Sequence, residues 1–490
     1  MLSLSRPSMG SLVRLLPRNS SFFKALLPSF VADAIYPDQK TTWRLHPTSY
    51  LDGLRGIASF IVFFCHYTEN NFSILVRSYG IHPGEPSGMI SLPYFRIIFS
   101  GRPMVHIFFV ISGFVLSYKP IKCIHARSLE KCYTTLASST FRRAFRLFGP
   151  CVASTFMIMC LNHMGFLGTQ KEWSWIEQFW DWKRVVFHQI TWPWAWDKDL
   201  GPGYDIHLWT IPIEFAHSML LFMVILMLSR VKLRIRQAMT FGLMIYCLTC
   251  GKWAGFEFLA GMFLAEIHVL QSAASKDWES SEPVSVARSL AKPLLQILLI
   301  LIGLFIGGWP NKDADKTPGI RWFLEQTPAP FNNMGHLAPQ KFWFGLSAVG
   351  IVWAVGDLRP LKRLFEGRVA QYCGRVSYAV YICHGPVLNM YEKRVLGHPF
   401  VAAKGEVGSP DYKAAVLGTG VKGLFGVATR AQATMSWFVG LLVLGPLVVW
   451  AADIFWRAID TPVVEIGKKI ETACLDDEGE PSHQGYAAVA

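Results

Sequence analysis

Arg55 and His66 lie within one apolar segment, residues 50–67 (YLDGLRGIASFIVFFCHY), where charged and titratable side chains are costly. An arginine at the centre of a bilayer costs about 2.5–3.5 kcal/mol on insertion scales. The two residues are eleven positions apart, about 1100° of helical rotation, so they share one face roughly 16 Å apart along the axis. Such a face suits an anionic ligand that is held by the cation and transformed at the imidazole. The alternative is a boundary arginine that snorkels to the interface and a packed histidine.

Two further apolar segments carry polar side chains one helical turn apart. The segment HLWTIPIEFAHSML contains Trp209, Glu214 and His217, and VSYAVYICHGPVL contains Tyr381 and His384. Each of these residues alone would most often be a hydrogen-bonded structural residue. Together with His66 they place three histidines and a carboxylate in hydrocarbon, which predicts an enclosed polar cavity.

A cluster of arginines precedes another apolar segment. The sequence FRRAFRLFGP contains Arg142, Arg143 and Arg146, and Arg142 and Arg146 share a helix face at i, i+4 spacing. Two interpretations stay open: a positively charged anchor at the membrane boundary, or a binding site for phosphate groups. We predict no metal site, because Cys247 and Cys250 form a C-x-x-C pair without a second half-site of zinc spacing.

The composition indicates a polytopic membrane protein. Of 490 residues, 52% are hydrophobic and only 17% are charged, and the mean hydropathy is +0.30. Soluble domains carry about 25% charged residues. The net charge of +13 lies in short segments between apolar runs, as the positive-inside rule requires, and no basic patch resembles a nucleic-acid interface. We therefore expect a lipid bilayer as partner and no nucleic acid.

The apolar runs predict an all-α bundle of ten transmembrane helices with both termini in the cytosol. The segments richest in Lys and Arg are 1–50, 119–147, 230–236 and 357–375, which alternate with the other connections and are assigned to the cytosol. Residues 169–206 contain seven tryptophans and are expected on the opposite side, in the aromatic belt. The predicted spans are 51–67, 104–119, 148–168, 207–229, 236–250, 254–271, 293–309, 341–357, 375–391 and 434–456.

Three regions follow from this pattern. Residues 1–48 form a basic cytosolic tail, for which a transit peptide is the alternative; residues 49–467 form the membrane domain; and residues 468–490 form a polar tail expected to be disordered. We expect no cleavable signal peptide, because the first long apolar run starts too late. An integral, multi-pass location in an endomembrane (endoplasmic reticulum or Golgi) or in the plasma membrane is expected.

The motifs resemble those of the acyltransferase-3 family, in order over residues 50–467. LDGLRGIASFIVFFCHY resembles its first-helix signature, with Arg55 and His66 at the family's Arg and His positions. VHIFFVISGFVLS, FRRAFRLFGP, LWTIPIEF and VSYAVYICHGPVL resemble four further segments. The chain departs from the family pattern at His106 and at Asp460, where many members have a small or acidic residue and a Glu, respectively. The loop VRSYGIHPGEP and the Trp-rich segment resemble the fungal branch.

The resemblance implies an integral-membrane O-acyltransferase that moves an acyl group, typically acetyl, from acyl-CoA to a hydroxyl. Acyl-CoA would be a co-substrate, with no permanently bound cofactor, and the acceptor could be a metabolite, lipid or carbohydrate. Direct transfer and a transient acyl-histidine both stay open. We expect catalytic roles for His66, as base, and for Glu214; donor-phosphate binding by Arg55, Arg142, Arg143 and Arg146; and substrate binding by Trp209, Tyr381 and His384.

The alternative function is a polytopic transporter that uses intramembrane His and Glu residues as a proton relay. It explains the buried polar residues but not the ordered motifs. Consumption of acetyl-CoA separates the two, because a transporter would not release free coenzyme A. A catalytically inactive scaffold is disfavoured, because the first-helix pair Arg55 and His66 is intact.

Overall fold

A computed structural model describes residues 25–35, 45–80, 88–167, 174–277, 286–311, 313–396 and 430–475, and within these ranges the regular elements are all helical. Fourteen helices are used below, and short turns at Ser73–Val76, Pro93–Arg96 and Ile320–Glu325 connect some of them. They are α1 (Ser29–Ile35), α2 (Ser49–Asn71), α3 (Gly101–His125), α4 (Leu129–His163), α5 (Trp175–Val185), α6 (Thr210–Leu228), α7 (Leu233–Thr249), α8 (Trp253–Asp277), α9 (Val286–Gly307), α10 (Ala338–Asp357), α11 (Arg359–Phe365), α12 (Arg368–Leu396), α13 (Arg430–Phe455) and α14 (Thr461–Cys474).

Each of the ten predicted spans coincides with a separate helix: α2, α3, α4, α6 to α10, α12 and α13. In the described part of the chain, five helical stretches are long and apolar enough to cross a bilayer. The number rises to six if α10 and α11, which meet at a bend of 96°, count as one broken span. The protein is therefore a multi-pass helical membrane protein, while ten crossings and cytosolic termini stay predictions.

Glycines bring α2 and α12 into backbone contact. A side chain on Gly56 would collide with the backbone of Gly374, and one on Gly374 would collide with the carbonyl group of Asp52. This close approach lets Arg55 reach across, and its Nη2 donates a hydrogen bond of 3.3 Å to the Gly374 carbonyl oxygen. The close approach at Gly56 and Gly374 therefore fixes the position of Arg55.

Hydrogen bonds join α2, α12 and α13 at the other end of α2. The Tyr67 hydroxyl donates to the Trp437 carbonyl oxygen at 3.1 Å, and the Trp437 indole donates to Thr68 Oγ1 at 2.8 Å. Asn71 Nδ2 donates to Glu392 at 3.0 Å. Thus α2 and α12 run parallel and α13 antiparallel. We call the end of the bundle near Arg55 the basic end and the end near Asn71 the distal end.

Part of the basic N-terminal region packs on the basic end. Both the backbone N–H and the hydroxyl of Ser29 donate to the Asp453 carboxylate, at 3.0 and 2.6 Å. Arg457 donates to the Leu27 carbonyl oxygen at 2.7 Å, and the Phe30 ring meets the Tyr372 ring edge-on at 5.2 Å. Residues 1–24 and 36–44 of the predicted tail lie outside the described residues.

At the other terminus, α14 runs to Cys474, seven residues beyond the boundary at 467 that the sequence predicts. Val463 in its first turn packs against Gly149 of α4, and Gly467 faces Phe145. The first residues of the predicted polar tail are therefore helical, and residues 476–490 lie outside the described part of the chain.

The Trp-rich segment is described from Ser174 onward. Ser174 and Glu177 form a reciprocal capping box that starts α5. Trp182 is tied to α4, because its indole N–H donates to Thr155 Oγ1 at 3.2 Å. The exposed tryptophans suit the interfacial aromatic belt, where one side of the ring is apolar and the other wet. They are Trp175, Trp180, Trp192, Trp194 and Trp196.

Candidate active site

A cavity of about 400 Å³ opens between α2, α3, α4, α6, α12 and α14. Its middle is lined by apolar side chains of α3 such as Val105, Phe108 and Val115. Thr210, the first residue of α6, and Tyr381 of α12 line it toward the distal end. The cavity therefore leads from the basic end into the middle of the bundle.

The lining of the cavity carries more positive than negative side chains. Arg55 holds the Asp52 carboxylate at 3.3 Å, and the Arg375 guanidinium lies 5.5 Å from the centre of the Trp456 ring. Arg146 has no hydrogen bond or ion pair with any described residue, so its five donors are available to a ligand. The charged lining residues are Arg55, Arg143, Arg146, Arg375 and Lys468, with Glu214, Asp460 and Glu465.

Glu214 is neutralised by an arginine inside this cavity. Arg143 Nη2 lies 2.6 Å from Glu214 Oε1, and Arg143 Nε donates to Ser218 Oγ at 3.0 Å. Ser112 of α3 also donates to the carboxylate, at 3.0 Å. The pair therefore connects α3, α4 and α6 in the cavity wall.

Three histidines from α2, α12 and the turn before α6 meet beyond the end of the cavity. The ring of His66 stacks on that of His384 with the centroids 5.3 Å apart and meets the edge of His207 at 4.2 Å. The centroids of His207 and His384 are 4.6 Å apart. The sequence predicts a polar site that includes His66 and His384, and the structure brings these two residues together with His207.

In two of these rings, those of His207 and His384, the Nδ1 atom faces a hydrogen-bond acceptor. His207 Nδ1 lies 2.7 Å from Asp205 Oδ1, and His384 Nδ1 lies 3.1 Å from the Val380 carbonyl oxygen. Because a carboxylate and a carbonyl oxygen accept, both Nδ1 atoms carry hydrogen, and in the neutral rings both Nε2 atoms present lone pairs. His384 Nε2 is buried without a hydrogen-bond partner among the described residues.

Such a cluster can take either a proton donor or a metal ion. One ring nitrogen of each histidine lies within 4.8 Å of those of the other two. Histidines that bind a metal typically donate their second ring N–H to a carboxylate or carbonyl, as His207 and His384 do. The sequence predicts no metal here, and that prediction stays open.

Tyr381 and Thr210 stand between the cavity and the histidines. The Tyr381 hydroxyl donates to the His207 carbonyl oxygen, and Thr210 Oγ1 lies 2.6 Å from the same hydroxyl. Both residues belong to the cavity lining, which among the described residues includes none of the three histidines. A hydrogen-bonded wall of two side chains therefore stands between the cavity and the three histidines.

Two of the predicted site residues, Arg142 and Trp209, lie outside the cavity lining, and Glu214, which is part of that lining, is paired with an arginine. Arg142 is absent from the cavity lining and pairs with Glu471 of α14 at 3.0 Å. Trp209 lies outside the lining, and its ring is 6.5 Å from that of Trp253. Glu214 contacts Arg143 and Ser112 rather than His66. Arg55, Arg143, Arg146 and Tyr381 do line one cavity.

Some residues of the site were not selected from the sequence. His207 directly precedes the LW of the LWTIPIEF motif, and Asp205 stands two residues before it, a spacing that allows a carboxylate to hold the ring. That Asp-x-His pattern was the available signal. Arg375 and Lys468 gave no signal beyond their positions in basic segments, because only packing reveals which basic side chains face a cavity.

The comparison with known proteins agrees with these motifs. The model of the acyltransferase-3 family, described as an acyltransferase domain, matches residues 48–457. The O-acetyltransferase PaAT-1 of Phomopsis amygdali is 29% identical over 471 residues, covering 89% of this chain and 87% of the relative. Acyltransferase R4 of Phoma sp. is 25% identical over 85% of this chain and 94% of its own. Acyltransferase clz18 of Cochliobolus lunatus is 25% identical over 69% and 82%. No solved structure gives a significant match.

Proposed function

Since this chain belongs to the acyltransferase-3 family, we propose that it is an O-acyltransferase that moves an acetyl group from acetyl-CoA to the hydroxyl group of a small metabolite. The observation that carries the proposal is the position of the basic cavity, which ends at Tyr381, one helical turn before His384. This position supports a path along which an anionic donor would bind at the arginines and a histidine would accept the proton.

The basic end of the cavity supports binding of the donor. Coenzyme A carries several phosphate charges on its nucleotide end, and arginine guanidinium groups bind phosphate oxygens in pairs. Arg55, Arg143 and Arg146 lie in the lining, and Arg146 is the one of these three without a partner in the described chain. The apolar side chains of α3 suit the pantetheine arm and the acyl group. Arg142 faces Glu471 instead and is expected to contribute little.

His66 is the base in this proposal. It removes the proton from the acceptor hydroxyl, the oxygen attacks the thioester carbon, the new C–O bond forms and the C–S bond breaks. The proton ends on the sulfur of the released coenzyme A. Direct transfer needs both substrates at the histidine cluster at once, and a transient acyl-histidine would form on the same cluster. In both cases the thioester has to pass the hydrogen-bonded pair Thr210 and Tyr381. Glu214, bound to Arg143, shapes the donor cavity rather than orienting His66.

The nature of the donor and acceptor rests on similarity to relatives. PaAT-1 of Phomopsis amygdali is named an O-acetyltransferase, which supports acetyl as the transferred group. We prefer a small metabolite as the acceptor over a lipid or a carbohydrate. We also propose that the protein resides in an endomembrane or in the plasma membrane. The transporter alternative has no counterpart among these relatives.

The test is consumption of the donor and gain of an acyl unit. Cells with and without the gene are compared for metabolites that differ by the mass of an acetyl group. The acceptor is then recovered from that product by alkaline hydrolysis and supplied to nanodiscs that hold the purified protein and acetyl-CoA. We expect acceptor-dependent release of free coenzyme A. Transport of the metabolite without any release would support the alternative.

A further inference from the structure

We propose that Asp205 and His207 form a dyad that holds the transferred proton during acyl transfer, with His66 passing it on. The inference rests on the proposed function and adds two residues to it. His207 would act through His66, and Asp205 through His207, so both are positioning and proton-holding groups rather than groups that touch the acceptor.

Asp205 is the feature that distinguishes His207 from its neighbours. Of the three clustered histidines, His207 is the one whose ring nitrogen contacts a carboxylate in the described structure. The Asp205 side chain is only 2% exposed and that of His207 10%. Asp205 Oδ1 also accepts the backbone N–H of His207 at 3.0 Å, which fixes the carboxylate relative to the ring. A charge on His207 is therefore stabilised at short range in a site with little water.

Before the reaction, the carboxylate of the dyad lacks part of its hydrogen bonding. Asp205 Oδ2 is buried and has no hydrogen-bond partner among the described residues. A buried carboxylate with one bare oxygen is costly, and a positive charge on the neighbouring imidazole offsets part of that cost. His384 differs, because its Nδ1 meets a neutral carbonyl oxygen. Of these two rings, His207 is therefore the one with a carboxylate partner for an imidazolium.

The surroundings of His207 hold the ring in this orientation. The Tyr381 hydroxyl donates to its carbonyl oxygen. On α12, Gly385 leaves the room that the ring occupies, because a Cβ at that position would lie 2.8 Å from His207 Cε1. With Nδ1–H directed to Asp205, Nε2 is the basic atom. The edge of the ring meets the His66 ring.

The proton path balances without an added reactant. His66 takes the hydroxyl proton on one nitrogen and gives the proton of its other nitrogen to His207 Nε2. The imidazolium of His207 pairs with Asp205 while the C–O bond forms and the C–S bond breaks. The proton then returns through His66 to the leaving sulfur, so that the dyad ends in its initial state.

The experiment compares Asp205→Asn, His207→Gln and the double variant in nanodiscs, with acetyl-CoA and the acceptor recovered from the cellular product. An asparagine amide would donate to Nδ1 and select the other tautomer, so we expect kcat to fall by about 10²–10⁴-fold with the KM for acetyl-CoA within about threefold. Because the two residues act as a unit, the double variant should be no slower than the slower single variant. If the substitutions only damaged the structure, their effects on kcat would instead multiply in the double variant, and the KM for acetyl-CoA would also change.

Asp197→Asn is the matched control. Asp197 is another carboxylate beside a histidine, with Oδ1 3.8 Å from His217 Nε2, but it lies outside the cluster. Its kcat should stay within about threefold of the wild-type value. Equal kcat values for Asp205→Asn and the wild type would overturn the inference. It would also be overturned if the wild-type protein contained one equivalent of bound zinc and the His207→Gln variant contained none, because the histidines would then be metal ligands. A wild-type protein that releases no coenzyme A would defeat the proposed function instead.

Discussion

Arg143 Nη2 lies 2.6 Å from Oε1 of Glu214, and this ion pair joins α4 to α6 in the wall of the basic cavity. The two side chains are 9% and 17% exposed, so neither charge is well hydrated. Removing one partner of a pair in such surroundings leaves the other uncompensated, whereas removing both can be nearly neutral. The pair therefore allows stability and donor binding to be measured separately.

Glu214→Ala is expected to lower the thermal unfolding temperature in detergent, because a buried pair broken on one side costs about 3–5 kcal/mol. Arg143→Met combined with Glu214→Leu should recover most of that stability but not the KM for acetyl-CoA. Full recovery of the KM by the double variant would show that Arg143 does not bind the donor.

His66→Ala should reduce transfer by about 10²-fold or more, because a general base contributes about 10²–10⁴-fold. The protein should still insert and accumulate, which membrane fractionation checks. Cys247→Ser with Cys250→Ser is the control and should retain activity, since these cysteines lie outside the cavity lining and the histidine cluster. Near-normal turnover in well-expressed His66→Ala would exclude His66 from the chemistry.

Arg55→Lys should raise the KM for acetyl-CoA several-fold and affect the acceptor less. Lysine keeps the charge but loses the planar fork that spans two phosphate oxygens. Arg142→Lys is the matched control, because Arg142 lies on the surface of α4, bound to Glu471, and outside the cavity lining. The measurement is a titration with acetyl-CoA at saturating acceptor. If the curves of Arg55→Lys and the wild type were identical, Arg55 would have a structural role only.

Gly56→Ala should destabilise the protein by about 1–3 kcal/mol, because the added methyl group would collide with the backbone of Gly374 rather than with a movable side chain. Gly242→Ala in α7 meets nothing within 4 Å and should be neutral or slightly stabilising, since alanine favours helix. Unfolding temperatures in one detergent provide the comparison. Equal values would mean that α2 and α12 can separate without loss.

Both termini should lie in the cytosol and residues 169–206 on the opposite side. The charge distribution is the reason, since segments rich in Lys and Arg stay on the cytosolic face. Reporter fusions at each terminus and cysteine labelling in the Trp-rich segment measure this. A C-terminal reporter on the non-cytosolic side would mean that α7 or α8 does not cross.

The helices were predictable from the sequence to a greater extent than the site. An apolar run long enough to span a bilayer predicts a helix over the same residues, because a lipid-exposed backbone must form its hydrogen bonds internally. Side-chain direction is different, since it depends on which helices become neighbours. Arg142 and Arg146 share a face by spacing, yet the cavity receives Arg143 and Arg146, because α14 packs beside α4 and draws Arg142 toward Glu471.

The assignment of Glu214 shows the same limit. The sequence places Glu214 and His66 in different helices and contains no information on their separation. Arg143 occupies the carboxylate, and the histidine cluster obtains its own carboxylate from Asp205, which stands in a turn before α6. A short-range pattern, Asp-x-His, was thus more informative about the histidine cluster than the membrane-embedded glutamate.

The wall formed by Thr210 and Tyr381 has an electrical consequence. A pore lined by arginines on one side and histidines on the other would conduct protons or anions if water filled it from face to face. The paired hydroxyl groups block that column at one point. Whichever way the bundle faces, the donor of the proposed reaction can enter the cavity from the basic end without opening a continuous water column, so the bilayer keeps its ion gradients.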